Sequence, residues 1–250
     1  MGTSTEAAAM LNGPVALLGS GEYLPVMDDT DLALLAGYRK PGHRPRVVCI
    51  PTAAGREGEE VLAYWMNLGL SHFQALDADV SALHIANRAE ADEPGYAARI
   101  AAADLIYFSG GKPAYLYKVM HGSLAWQAVL SATRRGAAYA GCSAGSMVMG
   151  AWLPNLKTRT MLHSRAFGIL PFVHILPHFD RHPVWNRNEA NLQAILAPGE
   201  FLLALDEETA VVRDSLAAWT VYGRQQAHLF SRSQVRRFSA GQTFSVTVSN

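Results

Sequence analysis

Short apolar runs recur along this chain, each followed by turn residues and then by a helical pattern. VALLGSG (15–21), RVVCIPTA (46–53), FQALDAD (73–79), LIYFSGG (105–111) and AAYAGCSAG (137–145) read as buried strands. Between them lie amphipathic segments. The clearest follows Ser123, a predicted N-cap, with Trp126, Val129, Leu130 and Thr133 on one face and Gly136 closing it. Another covers residues 57–68 and is predicted to end before Gly69. Strands separated by whole helices cannot pair as tight hairpins. The alternation therefore predicts an α/β fold, a mostly parallel sheet flanked by helices on both faces. In such sheets ligands bind at the carboxyl ends of the strands. Several of these runs end in glycine or another small residue, as an open site edge requires.

The last fifty residues change character. FLLAL (201–205), TAVVR (209–213), AWTVY (218–222), QAHLF (226–230) and QTFSVTVS (242–249) are short, β-rich and separated by turn residues. They read as a strand returning to the main sheet, followed by a β-rich antiparallel C-terminal extension. No linker, repeat or low-complexity segment divides the chain. Residues 1–250 are read as a single α/β domain, with a core over 13–214 and the extension over 215–250.

Composition narrows the function classes. Lys plus Arg and Asp plus Glu both total 21, so no basic surplus points to nucleic acid. Cys49 and Cys142 form no spaced framework, which predicts reduced thiols in a cytoplasmic protein. The start, MGTSTEAAAM, lacks the basic segment and apolar core of a signal peptide. No stretch approaches the ~20 apolar residues of a membrane span.

The segment YAGCSAGSMVMG (139–150) holds two candidate nucleophiles side by side. Gly141-Cys142-Ser143-Ala144-Gly145 fits the G-x-S-x-G elbow, in which a strand turns sharply into a helix and exposes the central side chain. The glycine frame selects Ser143. Cys142, one residue earlier, is pointed away by strand alternation. The helix start would supply an oxyanion donor such as the Ala144 N–H. A second glycine site, SGGKP (109–113), ends the preceding strand, so the Gly110–Gly111 backbone could carry another. It lacks the remaining residues of a phosphate loop. GSGE (19–22) lacks the third glycine of a dinucleotide site, and its carboxylate would repel a pyrophosphate.

A serine nucleophile needs a base, and the base an orienting group. ILPHFD (175–180) places His178 at the end of an apolar strand. His174 and His182 flank it at spacings of four, but Pro177 and the β-branched run oppose the helix that metal ligation would need. His43 and His72 fall in expected loops and read as solvated. For the acid, LDEETAVV (205–212) offers Asp206, Glu207 and Glu208.

Together these motifs resemble the peptidase E and cyanophycinase group of serine peptidases. The resemblance runs from about Val15 to Val212 in order: GSGE with the first strand, IYFSGG, GCSAG, PHF and LDEETAVV. It implies a class I glutamine amidotransferase-like, flavodoxin-like fold and hydrolysis of small peptides or related amides through an acyl-enzyme. It implies Ser143 as nucleophile, His178 as general base and acid, and Glu207 as the orienting acid, with Asp206 its neighbouring alternative. Gly110, Gly111 and Ala144 fall at the implied oxyanion hole.

Departures from the group's pattern bear on the substrate. Lys112 and Pro113 stand where many relatives carry Asn or Asp, then Gln or Thr. Only Arg181 and Arg187 follow the histidine, so cleavage of an aspartate–arginine polymer is not implied. Lys112, Arg181 and Arg187 are the candidate substrate-binding cations. The basic segment KTRTMLHSR (157–165) could likewise favour acidic substrates. The expected partner is a small peptide or amide, without nucleic acid, membrane, metal or cofactor; a homodimer is allowed. Two other readings stand beside this one. An α/β-hydrolase would use Ser143, Asp206 and His228, and an amidotransferase-like binding module would use no catalysis.

Overall fold

The computed structural model describes residues 11–155, 160–182, 188–213 and 218–246. Five strands run parallel: β1 (Val15–Leu18), β2 (Arg46–Ile50), β3 (Asp79–Ala82), β4 (Leu105–Phe108) and β5 (Ala138–Cys142). A hairpin of β6 (Trp152–Asn155) and β7 (Thr160–Arg165) follows. Next come β8 (Val173–Leu176), β9 (Phe201–Leu205), β10 (Thr209–Arg213), β11 (Ala218–Gly223), β12 (Gln226–Phe230), β13 (Val235–Ser239) and β14 (Thr243–Ser245). The main sheet has the order β14-β11-β10-β1-β5-β4-β2-β3, with β10, β11 and β14 antiparallel at one side. A second sheet has the order β13-β12-β9-β8. The mostly parallel sheet and the antiparallel tail are thus both present.

The tail departs from the expected path in one respect. FLLAL forms β9, which pairs in parallel with β8 rather than returning to the main sheet. The chain crosses to the main sheet only after Leu205, through Asp206–Glu208, and β10 then pairs antiparallel to β1. The VRRFS strand, β13, carries no run of apolar residues and left no mark in the periodicity.

A second departure has a packing cause. FQALDAD was expected as a strand, but the helix Glu59–Ala75 runs through Gly69 and includes Phe73. A Cβ at Gly69 would stand 2.8 Å from Cys49 Sγ and 3.2 Å from Tyr23 Cζ. The glycine therefore lets the helix sit directly on β2 instead of ending it. Phe73 is fully buried against that face, and the strand β3 begins only at Asp79. His72 on this helix is correspondingly not solvated: its Nε2 lies 2.8 Å from Oδ2 of the buried Asp31. His43 does lie in an exposed loop, 3.4 Å from Asp104.

The two sheet faces are filled by alternating residues of the same strands. Ile50, Ile106, Phe108 and Tyr139 meet Leu116, Trp126 and Val129 on one face. Cys49, Tyr107, Ala140 and Cys142 meet Tyr23, Leu34 and Phe73 on the other. The helix Leu124–Arg134 is capped as expected, Ser123 Oγ accepting the Trp126 N–H at 3.0 Å. Such a cap contributes about 1 kcal/mol, and burying Val129 about 1.5–3 kcal/mol. Among the described residues, no helix is long and apolar enough to cross a membrane.

Candidate active site

The parallel strands deliver their carboxyl ends to one edge of the sheet, and the site is assembled there. Ser143 follows β5 at φ 48° and ψ −104°, a conformation that side-chain-bearing residues rarely adopt. The flanking glycines explain why the chain can turn so tightly. A Cβ on Gly141 would fall 2.4 Å from the Gly145 carbonyl carbon, and one on Gly145 2.5 Å from the Phe108 oxygen. The helix Ala144–Met147 starts immediately afterwards, and the Ala144 N–H, at its first position, has no acceptor within the helix.

His178 follows β8 in the left-handed region, at φ 55°. Its Nε2 lies 2.9 Å from Ser143 Oγ, and its Nδ1 lies 2.7 Å from Glu207 Oε1. That geometry assigns the neutral ring a proton on Nδ1, donated to the carboxylate, and leaves Nε2 to accept from the serine hydroxyl. Further groups fix the acid. Ser20 Oγ donates to Glu207 Oε2, and the Glu207 N–H donates to Asp180 Oδ1 at 2.8 Å. Gln225 Nε2 donates to Asp180 Oδ2 at 3.3 Å. The His178 side chain is 42% exposed, so a substrate can approach it from solvent. Burial and the neighbouring His178 hold the His182 imidazole below its ordinary range.

Asp206 and His228 also meet, but apart from the serine. Asp206 Oδ1 is 3.1 Å from His228 Nε2, both side chains are buried, and the imidazole packs on Phe179. Consecutive side chains diverge as the chain leaves β9. Asp206 turns into the second sheet, and Glu207 turns to the site. Among the described residues, His178 is the imidazole hydrogen-bonded to Ser143, so the order Ser143, Asp206, His228 is not assembled. His174, the other flanking histidine, is buried with Nε2 3.3 Å from Glu200 Oε2.

The glycine pair behaves differently at its two positions. The Gly110 N–H donates to Glu22 Oε1 at 2.8 Å, so it is not available to an oxyanion, contrary to expectation. Gly111 is exposed at φ 135°, and a Cβ there would stand 2.5 Å from the Ala53 carbonyl carbon. Lys112 is exposed directly beside it, with its backbone N–H on the Ala53 oxygen. Arg181 is exposed, with Nε 3.5 Å from Asp180 Oδ2. Arg187 and residues 157–159 of the basic segment lie outside the described residues.

Cys142 is fully buried, on the opposite face of β5 from Tyr139. Its thiol donates to Glu22 Oε2 at 2.8 Å. Burial and the Glu22 carboxylate together push this thiol well above the ordinary range, and burial pushes Cys49 up to about 12. A thiolate is the reactive form. Ellman's reagent at pH 8 is therefore expected to titrate neither thiol within minutes in the folded protein, and both after unfolding. Rapid native reaction at Cys142 would contradict this arrangement.

Sequence reasoning overlooked Ser20, Glu22, Asp180 and Gln225. For the first two a signal existed: a hydroxyl and a carboxylate packed into a glycine turn at the end of an apolar strand.

The profile of peptidase family S51 matches residues 15–218. A crystal structure of a peptidase from an acI-B1 actinobacterium is 32% identical and superposes with a TM-score of 0.84, covering 95% of this chain and 98% of that one. A second crystal structure, of a candidate peptidase E protein from Listeria monocytogenes EGD-e, is 16% identical. It covers 90% of this chain and 98% of its own at a TM-score of 0.56, a likeness of fold. No protein of curated function matches the chain.

Proposed function

Because the chain belongs to peptidase family S51 and is a serine-type peptidase, we propose that Ser143, His178 and Glu207 are its catalytic triad. The observation that carries this reading is the continuous line from Ser143 Oγ through the His178 ring to Glu207, at 2.9 and 2.7 Å.

In the proposed reaction Ser143 Oγ attacks the scissile carbonyl carbon while its proton passes to His178 Nε2. The oxyanion that forms is held by the N–H groups of Gly111 and Ala144. His178 then gives the proton to the leaving nitrogen, the C–N bond breaks, and an ester on Ser143 remains. Water attacks that ester, its proton again going to His178 Nε2, and the carboxylic acid product leaves as Oγ regains a proton. Glu207 stays ionised throughout; it orients the ring and stabilises the imidazolium.

The substrate we propose is a small peptide or related amide carrying an acidic group. Lys112 supports this, being exposed beside Gly111 at the edge of the site. Arg181, three residues after His178, is exposed but already faces Asp180. A panel of dipeptides and β-linked isopeptides, run beside fluorophosphonate labelling with peptide mapping, tests both parts. The expected result is a label on Ser143 and faster turnover of acidic members of the panel. A label elsewhere, or neutral and basic substrates turning over as fast, would sink the corresponding part.

A further inference from the structure

We propose that the turn after β1, Ser20-Gly21-Glu22, is the positioning element of the site, setting the acid with one residue and the oxyanion loop with the other. This rests on the triad reading above and adds residues that do not themselves touch substrate.

The topology makes such a role available. In the sheet β1 lies between β10 and β5. Its carboxyl end therefore faces the acid segment on one side and the nucleophile and glycine loop on the other. Ser20 reaches the first side. Its hydroxyl donates to Glu207 Oε2 and accepts the Glu208 N–H at 2.9 Å. Glu22 reaches the second. Its two carboxylate oxygens take the Gly110 N–H and the Cys142 S–H, each at 2.8 Å. Cys142 and Gly110 are the residues immediately before Ser143 and Gly111. A Cβ on Gly110 would come within 2.9 Å of Glu22 Oε1 and 3.4 Å of Ser143 Cβ, so the loop, the carboxylate and the nucleophile share one tight contact.

The backbone of the turn is constrained to serve both directions. Gly21 is at φ 84° and Tyr23 at φ 65°, the latter costly for a side-chain-bearing residue. Tyr23 is held there by its buried ring, 5.0 Å from Tyr107 and 6.1 Å from Phe73. Burying a carboxylate is unfavourable unless its oxygens are satisfied. Glu22, 9% exposed, is satisfied by groups of the site rather than by a cation. Packing alone would be better served by an apolar residue. The hydrogen bonds instead fix the Gly110 peptide, so that the next N–H, that of Gly111, is presented to the oxyanion.

The test compares Glu22→Ala, Glu22→Gln and Ser20→Ala with wild type for kcat, KM, fluorophosphonate labelling rate and melting temperature. Glu22→Ala is expected to lower kcat and the labelling rate about 30- to 100-fold, with KM within about twofold, somewhat less than the ~10²–10³-fold of removing an oxyanion donor outright. Glu22→Gln should recover most of this, because its carbonyl accepts the Gly110 N–H and its amide donates to the Cys142 sulfur. Ser20→Ala should lower kcat about tenfold at unchanged KM. Equal loss in Glu22→Gln and Glu22→Ala, or wild-type kcat in Glu22→Ala, overturns the inference. If Glu22→Ala does not fold, the decision rests on Glu22→Gln and Ser20→Ala: wild-type kcat in Ser20→Ala, or loss in Glu22→Gln that tracks melting temperature, overturns it equally. Wild-type turnover that persists in Ser143→Ala overturns the triad reading itself, a distinct result.

Discussion

Ser143→Ala is expected to reduce kcat on any peptide substrate by at least about 10⁴-fold, the scale of losing a serine nucleophile. It is also expected to abolish fluorophosphonate labelling and to leave the melting temperature within a few degrees of wild type. The backbone argument supports the last point. At φ 48° the residue is held by Gly141 and Gly145 around it, not by its own hydroxyl. The control is Cys142→Ser, which keeps a donor for Glu22 and should retain most of the activity. If Cys142→Ser were inactive and Ser143→Ala active, the thiol would be the nucleophile and the assignment would fall.

The second large effect separates the two adjacent carboxylates. Glu207→Gln keeps the size of the side chain but replaces an acceptor with a donor toward His178 Nδ1, favouring the wrong tautomer. The expected loss in kcat is about 10³–10⁴-fold. Asp206→Asn should leave kcat within a fewfold of wild type and instead lower the melting temperature, because Asp206 holds the buried His228. A buried hydrogen bond to a carboxylate contributes about 1.5–3 kcal/mol, and a urea melt of each variant would read the difference. Loss of kcat in Asp206→Asn with retention in Glu207→Gln would reverse the roles of the two acids.

Much of the arrangement around Ser143 is legible in the sequence, for identifiable reasons. The elbow could be read because a sharp strand-to-helix turn needs glycines at fixed positions, and Gly141 and Gly145 meet backbone atoms there. His178 could be read because an apolar run ends just before it. Choosing Glu207 over Asp206 needed the resemblance to known peptidases, since alternation in a turn is not fixed by local pattern. For Glu22 a local signal existed, a carboxylate in a glycine turn, but its partners did not show. Its two partners are 88 and 120 residues away, and nothing in a local window pairs a carboxylate with a peptide N–H that distant. The helix through Gly69 failed for a related cause: the contact that tolerates the glycine is with Cys49, on another element. Local pattern reports secondary structure and exposure; it does not report which strand ends meet.

The division of the strands between two sheets has a mechanical consequence. Ser143 and the glycine loop are carried by β5 and β4 of the main sheet, whereas His178 follows β8 of the second. Glu207 sits at the joint where the chain passes from β9 to β10. The Ser143–His178 hydrogen bond, 2.9 Å long, thus joins residues carried by different sheets. A slip of one sheet against the other by a single ångström would separate the proposed nucleophile from its proposed base while every strand stayed paired. Catalysis in such a molecule is a gauge of docking, sensitive to loosening that spectroscopy of the backbone would not register.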